Sequence, residues 1–189
     1  MKFLLGAVAA ASILPAAAFA EAAPTTTGLY GNLGYADAHS SGVDLGAIQG
    51  RLGYRFNNWL GVEGELAAGV VDDKSTTTVG GVPVDTKFKL NNAVAVYGVG
   101  FLPVANNLDL IGRIGYGEST VRARASAIAG VTPIEVAEAD DGNSWNFGVG
   151  AQYHFDGVNG VRGDYTRQEF VGSSAPHADV WSIAYSRRF

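Results

Sequence analysis

The chain has 189 residues, 47% of them hydrophobic and 11% aromatic, with 26 glycines and only 16% charged residues. That balance excludes a disordered polar tail, and a formal net charge of −5 excludes a broad cationic field for nucleic acid. With no cysteine, disulfides, thiolate metal sites and covalent thiol catalysis are excluded too.

Residues 1–20, MKFLLGAVAAASILPAAAFA, carry a positive charge at Lys2, an apolar run, a breaker at Pro15, and Ala18-Phe19-Ala20. This is the pattern of a cleavable export signal with an A-x-A site. Its apolar run falls short of the roughly 20 residues needed for a spanning helix. Removal takes Lys2 with it, so residues 21–189 form one more acidic domain. No second long apolar run follows, which leaves strands as the only way for the mature chain to cross a membrane.

From Gly28 onward the chain alternates with a period of two between polar, Gly, Asn and Pro stretches, and eight strand segments are predicted. In GLYGNLGYAD (28–37), Leu29, Leu33 and Tyr35 oppose Asn32, Gly34 and Ala36. In AIQGRLGYRF (47–56), Ile48, Leu52, Tyr54 and Phe56 oppose Gln49, Arg51 and Arg55. A tight turn at Asn57-Asn58 leads into WLGVEGELAAGV, where Leu60, Val62, Leu66 and Val70 oppose Glu63 and Glu65, giving a hairpin.

The fourth segment, 87–102, is apolar on both sides, so its facing stays open. After a turn at 103–107, LDLIGRIGYGE sets Leu108, Leu110, Ile114 and Tyr116 against Asp109 and Arg113. SWNFGVGAQYHF sets Trp145, Phe147, Val149, Tyr153 and Phe155 against Ser144, Asn146, Gln152 and His154. VRGDYTRQEF sets Val161 and Tyr165 against Arg162, Asp164, Thr166 and Gln168. The last, 179–189, sets Trp181, Ile183, Tyr185 and Phe189 against Ser182, Ala184 and Ser186. Three connections are short, and the other four are polar and mostly longer, a layout of turns on one rim and loops on the other that suits a membrane barrel.

The placement of aromatics selects which face meets lipid. Tyr35, Tyr116, Trp145 and Trp181 fall near the long-loop rim, and Phe56, Phe155 and Phe189 near the short-turn rim, as two girdles at water–lipid interfaces would. The opposite faces then point inward and carry Arg51, Arg55, Arg113 and Arg162 against Glu63, Glu65, Asp109 and Asp164. Equal numbers of acids and bases are expected to fill the interior as an ion-pair network. The repeated units Leu33-Gly34-Tyr35, Leu52-Gly53-Tyr54 and Ile114-Gly115-Tyr116 each turn a glycine inward, where it is expected to leave room for those long Arg and Glu side chains.

GLYGNLGYAD, RLGYRFNNWLGVEGE, FLPV with LDLIGRIGYG, WNFGVGAQYHF, VRGDYTRQEF and the closing IAYSRRF together resemble the small outer-membrane β-barrel family, the OmpA-type transmembrane domain with its OmpX-like and opacity-protein relatives. The resemblance implies an all-β, eight-stranded antiparallel barrel in the bacterial outer membrane. It also implies that Trp181, Ile183, Tyr185 and Phe189 form the signal read by the barrel-assembly machinery, with Arg187 departing from the usual aromatic or apolar residue two places before the end.

Eight strands enclose a lumen just wide enough to be filled by side chains. The expected function is therefore a non-enzymatic surface or envelope protein without catalytic residues, cofactor or metal, whose partners are outer-membrane lipid, lipopolysaccharide or a further surface ligand. The expected contact surface is two long loops, 72–85 with Ser75, Thr76, Thr77 and Thr78, and 119–141 with Glu135, Glu138, Asp140 and Asp141. The alternatives are a small-conductance porin-like channel and, less favoured, a lipid A-modifying enzyme using His39 and Ser41, for which no orienting carboxylate is assignable. A zinc site from Asp37, His39, His177 and Asp179 is the remaining minor reading.

Overall fold

The computed structural model describes residues 27–40, 42–79, 82–129, 132–172 and 177–189. The predicted export signal, Ser41 and the tips of the longer hairpins lie outside the described residues. The strands are β1 (Gly28–Ser40), β2 (Val43–Arg55), β3 (Leu60–Val71), β4 (Asp73–Val79), β5 (Val82–Ala105), β6 (Leu108–Ala129), β7 (Thr132–His154), β8 (Asn159–Phe170) and β9 (His177–Arg188).

All pairings are antiparallel between chain neighbours, and two contacts close the ring. β1 pairs with β9 from Tyr30↔Arg188 to His39↔Asp179. β3 pairs with β5 from Leu60↔Gly100 to Ala68↔Asn92. β4 continues β3 along the same neighbour, from Asp73↔Phe88 to Val79↔Val82, so β3 and β4 together make one stave of an eight-stranded barrel.

Side chains alternate across this wall in the inverted sense. Leu52, Ile114, Val149 and Ile183 are exposed on the outside, while Asn32, Gln49, Asn146 and Gln152 are buried within. An exposed Ile183, at 67% of its surface, would be a defect in water and is at home in hydrocarbon. The segment whose facing periodicity leaves open is resolved here: Ala95, Tyr97, Val99 and Phe101 of β5 are buried in the lumen, and Val94, Val96 and Leu102 face out. The four buried residues form an apolar cluster of the interior with Tyr30 and Ile111.

Trp145 on β7 and Phe155, the residue just past its end, are ten positions apart, roughly 34 Å along the chain and about 26 Å along the axis at a tilt near 40°, matching the ~25 Å apolar band of an outer-membrane wall. In the upper ring Tyr116 packs edge-on against Trp145 at 5.3 Å, and Tyr165 lies tilted against Trp181 at 4.8 Å. Tyr35 is half-buried, and its hydroxyl lies over the backbone of Gly46. At the other end Phe56, Phe155 and Phe189 are exposed, joined by Trp59.

The short turns are set by side chains that satisfy backbone donors. Asn57 Oδ1 accepts from the amides of Trp59 (2.8 Å) and Leu60 (2.9 Å), and Asp156 Oδ1 from those of Val158 (2.9 Å) and Asn159 (2.5 Å). The expected long loops are a different matter. β5, β6 and β7 run for 24, 22 and 23 residues, twice the 9–11 that a membrane crossing takes, and residues 73–79 form β4. Most of 72–85 and 119–141 is thus hairpin sheet, because backbone groups that leave lipid still gain by pairing with the strand beside them.

The inward glycines also do something other than expected. A methyl on Gly53 would stand 2.3 Å from the Tyr30 ring, one on Gly115 2.4 Å from the Tyr97 ring, and one on Gly34 2.1 Å from the Ile183 carbonyl. Gly53 and Gly115 make room for inward tyrosines rather than for Arg or Glu, a role that falls instead to Gly148, beside Arg113. Gly115→Ala is expected to displace Tyr97 and cost about 1–3 kcal/mol, read as a lower temperature for loss of the compact, heat-modifiable gel band.

Candidate functional site

Every one of the eight predicted interior charges is buried in the lumen. Strand pairing explains part of this: Arg51 faces Glu65 across β2 and β3, and its Nε donates to Oε2 at 2.8 Å. Other partners come from across the lumen. Arg113 on β6 donates to the same Glu65 oxygen at 2.9 Å, and Arg51 Nη1 to Asp164 Oδ2 at 2.5 Å. Arg162, completely enclosed, donates from Nε to Asp164 at 2.9 Å and from its terminal nitrogens to both oxygens of Glu63. Six side chains from β2, β3, β6 and β8 thereby form one central cluster, three guanidiniums against three carboxylates.

Neutral side chains add hydrogen bonds to this cluster. Tyr30 donates to Glu63 at 2.9 Å and Tyr97 to Glu65 at 3.3 Å; Arg113 donates to Thr166 at 2.5 Å. The Arg113 guanidinium also lies 4.4 Å over the Tyr97 ring.

A second cluster sits at the short-turn end. Arg55 Nη1 donates to Asp109 at 2.8 Å and Nη2 to the Asn58 carbonyl at 2.5 Å, while the guanidinium lies 4.2 Å from the Phe101 ring centre. Arg188 adds a bond to Asp109 at 3.1 Å, which the four-against-four count leaves out. Its parity with Ala184 and Ser186, both buried, is the signal that places it inward. Buried His154 is within 3.0 Å of Gln152 beside this cluster.

At the hairpin end the described side chains include several polar pairs. His39 pairs with Asp44 across the β1–β2 hairpin, Arg167 with Glu169, and Tyr165 donates to Asp179 at 2.6 Å. Thr76 donates to Asp85 at 2.6 Å, Thr120 to Asp141 at 2.7 Å, and Lys87 pairs with Asp72 at 2.8 Å. Side chains at Ser75, Thr77, Glu135, Glu138 and Asp140 lie outside those described. Among the described residues no group of three or more His, Asp or Glu side chains is placed to hold a metal ion.

A closed wall with an apolar exterior and a paired, charged interior is the form of an outer-membrane barrel, and the model of the outer membrane protein beta-barrel domain family matches residues 6–189. The chain belongs to that family. As an outer-membrane barrel it turns its short connections to the periplasm and its extended hairpins to the exterior.

Solved structures share the fold at low identity. Ail, the attachment invasion locus protein of Yersinia pestis, has 19% identity and a TM-score of 0.58, over 86% of this chain and 99% of that one. OprG of Pseudomonas aeruginosa has 12% identity and a TM-score of 0.55, over 86% and 96%. A major outer membrane protein of Thermus thermophilus has 9% identity and a TM-score of 0.59, over 85% and 99%. No curated protein matches the chain.

Two tests follow from this electrostatic arrangement. Arg162→Met takes from Glu63 its close charge partner and leaves Asp164 with Arg51 alone in a dry interior, and is expected to cost about 3–5 kcal/mol, seen as a lower urea midpoint of tryptophan fluorescence in lipid vesicles; adding Glu63→Gln should recover part of the loss. Outside the membrane, the hydrogen bond to Asp44, followed by its charge, raises the His39 pKa. The His39 contribution to hairpin pairing is thus full below the ordinary histidine value near 6.5 and is lost as pH rises through the raised one. An NMR titration should find His39 above that ordinary value, and Asp44→Asn should bring it back.

Proposed function

We propose that this protein is a non-enzymatic envelope or adhesion protein, in which a rigid, side-chain-filled barrel holds extracellular hairpins in place for contact with surfaces. The observation that carries the reading is the pairing of a blocked lumen with β5, β6 and β7 that continue far past the upper aromatic ring. From Tyr116, β6 runs on to Ala129, roughly 40 Å along the strand at about 3.4 Å per residue. Paired strands hold a contact surface at much lower entropic cost than open loops of the same length. The name of Ail supports an attachment role for this architecture.

The channel alternative needs a continuous water path, and the central cluster stands across it. The enzyme alternative would need a nucleophile with its base and orienting acid; Asp44, which the sequence pattern does not single out, stands beside His39 as such an acid would, and Ser41 lies outside the described residues.

Replacing 125–136 with an Asn-Gly turn, which joins the paired positions Arg124 and Ala137, shortens the tallest hairpin. The trimmed protein is expected to keep its heat-modifiable migration and to lose most adherence to host-cell or matrix-coated surfaces. Undiminished adherence would count against the reading. Planar-bilayer recordings should show no steady conductance; a steady unitary current would favour the porin-like alternative. Lipid A mass spectra should be the same with and without the protein, and a missing acyl chain would favour the enzyme.

A further inference from the structure

At the periplasmic end of the lumen the charges do not cancel. Arg55 of β2 and Arg188 of β9 share the single carboxylate of Asp109, at 2.8 Å and 3.1 Å. Arg55 and Asp109 are buried, and Arg188 is half-buried. The charges that face Arg188 are that carboxylate and the like-charged Arg55. Asp156, at the nearby turn, is exposed, and its oxygens are taken up by the Val158 and Asn159 amides and the Asn159 side chain. Turn carbonyls of Asn57, Asn58 and Gly157 accept from the two arginines, which eases the extra charge without cancelling it. Among the described side chains one guanidinium is left without a counter-charge, a costly condition away from water.

These groups surround a small cavity. Arg55, Arg188, Gln152, Tyr30, Phe101 and Gly28 are in its lining, and it has room for about one water-sized sphere. Gly28 pairs with Arg55 and adds no side chain to fill the space. Gln152 is 2% exposed; one end of its amide meets His154 at 3.0 Å, and the other end has no partner. Either imidazole nitrogen can donate or accept, and either end of an amide can turn to meet it. When the ring donates, the Gln152 oxygen faces His154 and the amino group faces the cavity. Arg188 bonds only Asp109 and, at 3.4 Å, the Gly157 carbonyl, which leaves most of its five N–H groups over. The cavity is thus lined by spare donors and an excess positive charge.

We propose that this cavity holds one small anion, of the class of chloride, between Arg55, Arg188 and Gln152. Size selects a monatomic ion over phosphate or an organic acid. Charge selects an anion over water, because water would satisfy the amide and leave the arginine surplus as it stands. The ion enters from the periplasmic mouth and has no need to pass the central cluster. Its ligands come from β2, β7 and β9, so it ties the last strand of the wall to two others close to the β1–β9 seam, where Arg188 pairs with Tyr30. The site lies at the opposite end of the barrel from the hairpins and is separate from their role in surface contact.

Crystals of the full chain grown in sodium bromide, with data collected at the bromine edge, test this. The wild type should show an anomalous peak between Arg55, Arg188 and Gln152, and Arg188→Gln should lose it. In lipid vesicles the equilibrium constant for urea unfolding of the wild type should be at least about threefold smaller in chloride than in gluconate at equal ionic strength. Gln152→Glu supplies the negative charge from the chain itself. It should unfold no more readily than the wild type in chloride and show no difference between the two salts. Heat-modifiable migration verifies that each variant is folded. Water density and no bromine peak in the wild-type cavity would overturn the proposal. A peak that persists in Arg188→Gln would mark an adventitious ion only and overturn it equally. A halide response in Gln152→Glu as large as that of the wild type would overturn the assignment of the ion as the missing counter-charge.

Discussion

Hydrocarbon offers no hydrogen-bonding partner, so every backbone amide and carbonyl within the membrane must be paired inside the wall itself. The β1–β9 and β3–β5 pairings meet that constraint by leaving no edge at membrane depth. Closure with eight staves then sets the width of the barrel, and the width decides what the interior is able to hold. Too narrow for a water column, the lumen is packed by side chains that have lost their own hydration, and a charge placed there must meet its opposite. Backbone pairing, lumen width and interior neutrality are thus links in one chain of cause.

The interior is not uniform along its length. At mid-depth three guanidiniums and three carboxylates balance, and the hydroxyls of Tyr30 and Tyr97 cap the outer lone pairs of Glu63 and Glu65. Arg162 is held by carboxylates from two strands, which fixes its fork in one orientation and ties β8 to β3 across the lumen. At the periplasmic end Arg55 and Arg188 share Asp109, with the surplus charge eased by turn carbonyls and the Phe101 face. The wall's outside has the reverse character, with Leu, Ile and Val where water would ordinarily be.

Most of the membrane-embedded part was legible because lipid and lumen impose opposite demands on successive residues. WNFGVGAQYHF could only sort one way once Trp145 and Phe155 were taken as interfacial. Legibility failed wherever that contrast fades. β5 carries Val, Ala and Gly on its outside and Ala95, Tyr97, Val99 and Phe101 within, so polarity could not distinguish the sides. Above the membrane both faces of a sheet are wet, and the Ser75 to Thr78 run reads as a loop although it forms β4 against β5. The inward rings of Tyr30 and Tyr97 were hidden for the same reason that Gly53 and Gly115 were misread: a local pattern shows that space is made, and only the partner strand shows for what. Cross-lumen contacts such as Arg113 to Thr166 depend on strand stagger, which no single segment records.

The described strands do not reach equal heights. β1, β2, β8 and β9 end within a few residues of the upper ring, whereas β5, β6 and β7 climb on with β4 beside them. The rim is therefore a parapet on one flank and a threshold on the other. In a membrane crowded with neighbours, a molecule sliding in from the low flank reaches the barrel's mouth directly, while one coming from the high flank meets a standing sheet first. Such a shape gives a single protein a front and a back in the plane of the membrane, a polarity that a ring of equal loops would lack.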